Sequence, residues 1–460
     1  MRSQYPNFSR RSFLAQGACA AVGSTSLLST LLDLRQINAA AAPGANDYKA
    51  LVCLFLYGGN DAANMLMPVD SEGYGLYAAG RQNLALPQAA ILPVGVDRSG
   101  RALGLHPAMA GLQQLVGQGE GRLVTNVGTL LAPVTLEDFQ NRSAALPPNL
   151  FSHNDQQVLW QTSVPESAAA FEATGWGGRI ADLLHSIYND ESISMSISIS
   201  GSNFFQVGRE IVPFRIGSGG SSGIGLANSL NEREQRKYQA FVDLLNIDHE
   251  NLLEDAFADV TKRAINRDGV IAAALENSSE FPDFPTSGLG QQMRMIARLI
   301  AAREALGMRR QIFFCATGGF DTHGEQLGPH AGLLGGINAA LVAFNSAMHQ
   351  LDVHSKVTTF TASDFGRTFV SNGRGSDHGW GAHHIVMGGG LAGNPIVGSY
   401  PNLDPGASPD DVGRGRWIPR LSVDQYGATM ARWFGVADSD MSQVFPNIGN
   451  FETADLGFMG

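Results

Sequence analysis

Cysteine and charged residues are scarce in this chain. Only 3 of its 460 residues are cysteine, so neither a disulfide framework nor a paired-cysteine zinc motif is available. Charged residues make up 16%, the formal net charge is −11, and no basic patch follows residue 40, which argues against nucleic acid as a partner. Any metal must therefore be held by oxygen and imidazole ligands.

Apolar residues and glycine are abundant instead. Hydrophobic residues make up 44% and there are 55 glycines, which is typical of a globular protein with many tight loops. Apolar runs of strand length alternate with helical patterns, which predicts an α/β fold: a central, mostly parallel sheet with helices on both faces, in three α/β/α layers. The predicted strands are 51–56, 311–316, 356–361 and 384–387, and the clearest predicted helices are 291–308 and 337–351.

The middle of the chain is less regular. Residues 192–200 alternate Ile and Met with Ser, as in a half-exposed strand, residues 217–225 form a Gly/Ser loop, and residues 231–260 have a helical pattern. We expect an inserted cap or edge region at about 192–288. It would lie within a single domain that spans residues 43–460.

The first 42 residues differ in kind from the rest. Arg10 and Arg11 precede a mildly apolar stretch that Gly, Ser and Asp33 interrupt, and residues 39–42 are alanines that offer cleavage sites. This pattern predicts a twin-arginine signal peptide over residues 1–42 rather than a membrane span. We expect export by the twin-arginine machinery to the periplasm or outside the cell, and no integral membrane span in the mature chain. An amphipathic N-terminal helix is the alternative.

Three of the predicted strands end in an acid. Asp61 follows the first strand, Asp321 the second and Asp364 the third. Because parallel strands place their carboxyl ends at one edge of a sheet, we expect these carboxylates to converge. They would repel one another unless a cation lay between them or their pKa values rose. Each acid by itself has an alternative role as a turn former or helix cap.

Histidines are concentrated in the same segments. His323 lies two residues after Asp321, and His378, His383 and His384 precede the fourth predicted strand. Imidazole mixed with carboxylate suits zinc, manganese or iron better than calcium, so we predict one or two divalent ions, with zinc first. Neighbouring residues of an extended chain point to opposite sides, so only one of His383 and His384 can face the site. We favour His384.

Several motifs occur in a fixed order after the leader. They are Gly58-Gly59-Asn60-Asp61 with Asn64, Ser152-His153 with Gln156 and Trp160, Gly319-Phe320-Asp321-Thr322-His323 with Gln326, Ser363-Asp364-Phe365-Gly366-Arg367-Thr368, and residues 377–384. With the leader, they resemble the bacterial family called "domain of unknown function 1501". That family is similar to the alkaline phosphatase and sulfatase superfamily, which implies an alkaline-phosphatase-like sheet with a metal centre at its carboxyl edge.

The resemblance also implies roles for individual residues. Asp61 corresponds to the superfamily's first metal-binding Asp, Asp321 and His323 to its mid-chain pair, and Asp364 to the Asp of its usual Asp-His motif. One of the two histidines at 383–384 corresponds to the late ligand.

One departure affects the number of metal ions. Phe365 stands where the superfamily commonly has the His of Asp-His, and phenylalanine cannot coordinate a metal. The sequence is compatible with a single ion, or with a site in which His378 substitutes. It has no Cys-x-Pro-x-Arg stretch, so the formylglycine nucleophile of typical sulfatases is absent.

The function predicted from these features is metal-dependent hydrolysis of a phosphate or sulfate ester. Ser152 and His153, at a predicted helix start, are candidate catalytic residues, with Ser152 as the candidate nucleophile. A plain helix cap is the alternative role of Ser152, and a metal-activated water needs no serine. Arg367 is a candidate to pair with an oxyanion. The acidic chain favours a small or locally charged ester substrate.

Two other functions stay open from the sequence. One is a non-catalytic exported scaffold or binding protein that retains the phosphatase-like fold, and the other is a metal-dependent phosphomutase or transferase. The sequence does not indicate an oligomeric state. Cys53 and Cys315 lie in predicted strands, and a disulfide between them is geometrically possible if those strands are neighbours.

Overall fold

The computed structural model describes residues 47–164, 174–189, 193–220, 229–248, 250–404 and 407–460. The predicted signal peptide lies outside these residues. The strands are β1 Lys49–Leu56, β2 Leu66–Pro68, β3 Leu92–Val96, β4 Ala102–Leu105, β5 Gly121–Gly128, β6 Ser196–Ser198, β7 Phe214–Arg215, β8 Arg310–Thr317, β9 Val357–Ser363, β10 Ala382–Gly388, β11 Ile396–Val397 and β12 Leu421–Ser422.

The helices are as follows. They are α1 Ala62–Met65, α2 Ser71–Arg81, α3 Ala110–Gly117, α4 Leu136–Asn141, α5 His153–Thr162, α6 Trp176–Tyr188, α7 Glu232–Leu245, α8 Leu252–Glu276, α9 Gly288–Ala301, α10 Leu327–Gln350, α11 Val423–Phe434 and α12 Met441–Val444. Short 3-10 turns cover Gln82–Leu84, Gln88–Ala90, Pro107–Met109, His354–Lys356, Asp438–Asp440 and Ile448–Asn450.

A central sheet organises the described part of the chain. Its order is β11-β5-β10-β9-β1-β8-β6-β7, with β12 beside β5. Strand β1 pairs in parallel with both β8 and β9, whereas β10 runs antiparallel to β9 and β5. The prediction of a mostly parallel sheet is confirmed, and the four predicted strands correspond to β1, β8, β9 and β10.

The sheet is covered on both faces, which explains the continuous apolar runs of its central strands. On β1, Val52 and Leu54 face one apolar layer, and Leu51 and Phe55 face the other. Helices α3, α9 and α10 pack in the first layer, and α6 and α11 pack in the second. The predicted three-layer α/β/α arrangement is therefore confirmed.

Local capping sets where several helices begin. The Ser287 side chain accepts a hydrogen bond from the Gly290 amide at the start of α9. Ser422 and Gln425 form a reciprocal capping box at the start of α11. These bonds satisfy amide groups that lack an intrahelical partner.

The irregular middle segment contributes the edge of the central sheet. Strand β6 pairs in parallel with β8, and β7 pairs in parallel with β6. All three residues of β6 are buried, so the prediction of a half-exposed strand there is wrong: serine packs inward at this edge because its neighbours cover both sides. The single helix predicted over 231–260 is instead the pair α7 and α8.

Cys53 and Cys315 are both free and buried. They lie on the adjacent strands β1 and β8, but Cys53 packs in one apolar layer and Cys315 in the other. Because their side chains point to opposite faces of the sheet, they cannot form a disulfide without a change in the backbone.

Helix α10 is long and apolar enough, by length and composition, to cross a membrane. Its residues Leu334, Leu341 and Phe344 are fully buried in the core. A helix whose apolar side packs against a sheet has the same composition for a different reason, since it fills the interior of the domain.

Candidate metal centre

The carboxyl ends of β1, β8 and β9 meet at one edge of the central sheet, where three loops come into close contact. The Gly58 amide donates to the Asp364 carboxylate at 3.2 Å. Gly58 has φ +112°, and a Cβ at this position would lie 2.5 Å from the Asp321 amide nitrogen. Only glycine allows this backbone conformation and this close approach.

One carboxylate and three imidazole rings come together at this edge. His153 is the first residue of α5, Asp321 and His323 follow β8, and His378 lies in the loop before β10. Asp321 Oδ2 lies 3.5 Å from His153 Nε2, and its Oδ1 lies 3.4 Å from His378 Nε2 and 3.0 Å from His323 Nε2. His378 Nε2 lies 3.1 Å from His153 Nε2 and 3.0 Å from His323 Nε2.

Each of the three rings has an acceptor behind it. His153 Nδ1 lies 2.6 Å from Asp364 Oδ2, and His323 Nδ1 lies 3.1 Å from Asp377 Oδ1. His378 Nδ1 lies 2.7 Å from the carbonyl oxygen of Phe151. These acceptors assign the ring proton to Nδ1, so each neutral ring presents the lone pair of Nε2 to the cluster.

The charges of the cluster follow from its surroundings. Although burial opposes it, Arg367 and the neighbouring His323 and His153 hold the pKa of Asp321 below its usual range. Burial lowers the pKa of His378, despite its bond to the Phe151 carbonyl. Asp321 is therefore an anionic carboxylate at neutral pH, in contact with the Nε2 atoms of the surrounding rings.

This arrangement favours a bound cation. The ligand atoms of His153, Asp321 and His378 all lie within 4.8 Å of one another, and His323 borders them. Ligands about 2.0–2.1 Å from a tetrahedral zinc lie ~3.3 Å apart, which matches the measured separations. The residues present therefore fit a zinc-type ion, and the Asp321 side chain is 45% exposed, so a further ligand has access.

Asp364 lies behind His153. It is buried and accepts from His153 Nδ1, from Gln157 Nε2 at 2.8 Å and from the Gly58 amide. It therefore orients a candidate ligand and does not join the group formed by His153, Asp321 and His378. This departs from the predicted role of Asp364 as a ligand; the physical reason is that its oxygens are already engaged by donors.

Phe365 packs against two of the rings. Its centroid lies 4.8 Å from that of His153 and 4.7 Å from that of His378. A Cβ at Gly59 would lie 2.6 Å from the Phe365 ring, so the loop after β1 packs closely against this ring. Phe365, which replaces the expected histidine, packs against the rings of His153 and His378 and restricts their orientation.

Arg367 supports Asp321 and does not face solvent. Its side chain is fully buried, and its guanidinium donates to Asp321 Oδ1 at 2.5 Å, to the Gly58 carbonyl at 3.1 Å and to the Ser376 carbonyl. The structure therefore does not place Arg367 where a substrate oxyanion would reach it directly, as the sequence suggested. It acts through the carboxylate of Asp321.

Asp61 takes part in a separate buried network. Its Oδ2 accepts hydrogen bonds from Arg81 and Gln326, and the side chains of Asp61 and Arg81 are both fully buried. The Arg81 guanidinium neutralises this carboxylate. Asp61 therefore does not join the candidate ligand group that the resemblance assigned to it.

His383 and His384 point to opposite faces of the sheet, as their adjacency predicts. His383 Nδ1 accepts from the Asn126 amide, and its ring stacks on Tyr400. The His384 ring lies 4.9 Å from that of Trp160. Burial lowers the pKa of each to about 3. The structure gathers neither of them with the other histidines, because β10 carries both into the core.

Ser152 immediately precedes α5, and the contacts of its hydroxyl do not support a role as nucleophile. Its Oγ donates to Asp155 Oδ2 at 2.5 Å, and its side chain makes no cap hydrogen bond to the helix. No described contact joins this hydroxyl to His153.

Gln157 and Asp377 are functional candidates that the sequence reasoning missed. Gln157 lies four residues after His153 on α5, so both side chains share one face of the helix. Asp377 precedes His378, and hydrogen bonds from Asn372, His323 and Arg414 hold its pKa at about 2 even though burial opposes this. The helical spacing and the motif around His378 were the available signals.

Comparison with known proteins identifies a family. The model described as "Protein of unknown function (DUF1501)" matches residues 48–413. The chain belongs to this family. No curated protein matches this DUF1501 member.

Among solved structures, this DUF1501 protein is similar to a sulfatase, PsFucS1 from Pseudoalteromonas sp., at 10% identity and a TM-score of 0.38, covering 88% of this chain and 72% of that one. It is also similar to Ps i-CgsB in complex with k-i-k-neocarrahexaose, at 9% identity and a TM-score of 0.35, covering 88% and 77%.

A cleft of about 570 Å³ lies beside α5, the helix that begins at His153. It is lined by Tyr57, Asn154, Gln157, Val158, Gln161, Ser202, Asn203, Phe204, Val207 and Arg215. Gln157 connects the two features because it lines the cleft and also donates to Asp364, which accepts from His153.

Proposed function

We propose that this DUF1501 protein is a metal-dependent hydrolase of a sulfate or phosphate ester. The observation that supports this most strongly is the convergence of imidazole Nε2 lone pairs on the Asp321 carboxylate at the carboxyl edge of the sheet. A divalent ion held there by His153, Asp321 and His378 supplies Lewis-acid chemistry when bound. Zinc suits these ligands best.

The exposure of the cluster favours catalysis over a structural role. Structural zinc sites are closed by four protein ligands, whereas catalytic sites keep a position open. Here the side chains of Asp321 and His323 are 45% and 47% exposed, and a cleft lies beside α5, the helix that begins at His153. This exposure supports a hydrolase over a scaffold that retains a buried ion.

Different side chains of this protein would orient the ligands, bind the substrate and exchange a proton. Asp364 and Phe365 hold the His153 ring, and Arg367 holds Asp321, so the ligand groups are pre-organised. The cleft would bind the organic part of the ester, with Arg215 available for a second anionic group. His323, which is half exposed and borders the three-ligand group, would exchange a proton with the leaving group.

We further propose that the protein works outside the cytoplasm on a small or locally charged ester. The paired arginines of the leader and the net charge of −11 support this, because an acidic protein repels densely anionic polymers.

The test is turnover of 4-nitrophenyl sulfate and 4-nitrophenyl phosphate by the full chain, with zinc or manganese added after removal of bound metal. We expect Asp321→Asn and His378→Gln to lower kcat/KM by about 100-fold or more and to remove one equivalent of metal. Asp259→Asn is the matched control, since it alters an ion-paired carboxylate exposed on α8. Turnover that survives in Asp321→Asn, or that does not depend on metal, would contradict the proposal.

A further inference from the structure

A second group of possible metal ligands lies at the opposite edge of the sheet. Glu120 immediately precedes β5, His349 lies in the last turn of α10, and His354 begins the 3-10 turn that leads into β9. The Glu120 carbonyl accepts from the Gly388 amide, and the His354 carbonyl accepts from the Gly389 amide at the end of β10. Since β9 and β5 start here, this group is separated from the candidate active centre by the length of the strands.

The distances within this group suit the ligands of one tetrahedral ion. Glu120 Oε1 lies 3.0 Å from His349 Nε2, and Glu120 Oε2 lies 3.7 Å from His354 Nε2. The two rings are stacked, with centroids 4.0 Å apart and planes 12° from parallel, so one ring must turn for both Nε2 lone pairs to point at the same ion. These separations bracket the ~3.3 Å expected between ligands of one tetrahedral zinc. The three ligand atoms all lie within 4.8 Å of one another.

An ion pair alone does not account for the arrangement. A charged His349 would satisfy Glu120, but within the described part of the chain the buried His354 Nε2 has no hydrogen-bond partner. A buried ring nitrogen without a partner is costly. A cation bound by the carboxylate would engage both Nε2 atoms once one ring turns out of the stack.

The carboxylate is also held in position. Asn345, one turn before His349 on α10, donates from Nδ2 to Glu120 Oε2 at 2.7 Å. Hydrogen bonds of this kind from outside the ligand set orient metal-binding carboxylates.

We propose that Glu120, His349 and His354 form a second transition-metal site of the zinc type. It would join the end of α10 to the starts of β5 and β9, and so stabilise the amino edge of the sheet. The His349 side chain is 50% exposed, so a water molecule can complete the coordination. This site is independent of the proposed hydrolase activity.

The experiment counts zinc bound to the full chain after metal removal, re-equilibration and separation from free metal, with elemental analysis as the readout. We expect two equivalents in the wild type. We expect one in Glu120→Gln/His354→Gln and one in Asp321→Asn/His378→Gln. The combined variant should bind none, and Glu304→Gln, at an exposed glutamate, should keep both.

A second measurement isolates the new site. In the Asp321→Asn/His378→Gln background, zinc should raise the melting temperature and cobalt should give the visible absorption of a four-coordinate ion; adding His354→Gln should abolish both. Circular dichroism of the metal-free variants establishes that each is folded. Wild-type stoichiometry that Glu120→Gln/His354→Gln leaves unchanged, or a background variant that binds neither metal, would overturn the proposal. Absence of turnover from a wild-type protein that binds both equivalents of zinc would instead contradict only the hydrolase proposal.

Discussion

Individual acceptors decide which nitrogen each histidine presents at the candidate metal centre. Asp364, Asp377 and the Phe151 carbonyl each accept from one ring Nδ1. Each acceptor lies far in the sequence from the histidine that it orients. The rings are therefore prepared for a cation by groups that never touch it.

Asp364→Asn tests this preparation. An amide at this position can turn its nitrogen toward His153 Nδ1, so the ring loses its fixed tautomer and orientation. We expect the zinc affinity of the centre to fall about 10–100-fold. Competition with a chromophoric chelator measures the change, with Asp259→Asn as the control. An unchanged affinity in a folded Asp364→Asn protein would contradict the assigned role.

His384 provides a prediction about acid stability. Burial lowers its pKa from 6.5 to about 3, so between these values the unfolded chain binds a proton that the folded chain does not. The free energy of unfolding must therefore fall as the pH falls below 6.5, and by pH 5 the loss from this one group is about 2 kcal/mol.

His384→Phe removes the group that binds this proton in the unfolded chain, while it keeps an aromatic ring beside Trp160. We expect the variant to lose less stability than the wild type between pH 7 and pH 5, as urea denaturation at both values will show. An identical loss in both proteins would show that His384 is protonated equally in the folded and unfolded states. His383→Gln should reduce the loss in the same way, because burial also lowers the pKa of His383 to about 3.

Helix α2 and the loop after β1 depend on one buried ion pair. Arg81, at the end of α2, donates to Asp61, to Asn64 and to the carbonyls of Thr368 and Phe369. These bonds attach α2 to the loop that later carries Asp377 and His378. The Asp61–Arg81 ion pair therefore holds together elements that supply the candidate metal centre, without contributing a ligand to it.

Arg81→Met should be strongly destabilising, because it leaves the Asp61 carboxylate buried without its cation. We expect a loss of about 3–5 kcal/mol in the free energy of unfolding. Asp61→Asn/Arg81→Met should recover part of that loss, since the buried charge is gone. Denaturant titration of the single and double variants measures the coupling.

Asp61→Asn also separates the two roles considered for this residue. We expect it to leave the zinc stoichiometry unchanged, because Arg81 and Gln326 already engage its carboxylate. Loss of one equivalent of zinc would restore Asp61 as a ligand.

Two apolar layers support the molecule independently of any metal. One layer includes α9 and α10 and the other α6 and α11, with the central strands buried between them. Burial on this scale exceeds what one or two bound ions contribute. Ions bound at the proposed metal sites would therefore add to a core that folds without them.

Chelation of the whole protein should lower its melting temperature without unfolding it at 25 °C. Binding at 100 times the dissociation constant contributes about 2.7 kcal/mol per site. Circular dichroism and calorimetry with and without chelator measure the effect. Collapse of the secondary structure on chelation at 25 °C would show that the metal is part of the core, as in the scaffold alternative.

The sequence by itself determined the α/β class, the four central strands, the carboxylates at three strand ends and the resemblance to the DUF1501 family. These properties are local: a continuous apolar run and the residue that ends it are adjacent in the chain. The alternation of His383 and His384 followed from strand geometry in the same way.

Only the tertiary structure decided which of these residues meet. It paired Asp61 with Arg81, placed Asp364 behind His153, carried His384 into the core and brought Glu120 to His349 and His354. Such contacts join residues that are distant in the chain, and they depend on helix packing and strand register, which no short segment of sequence specifies.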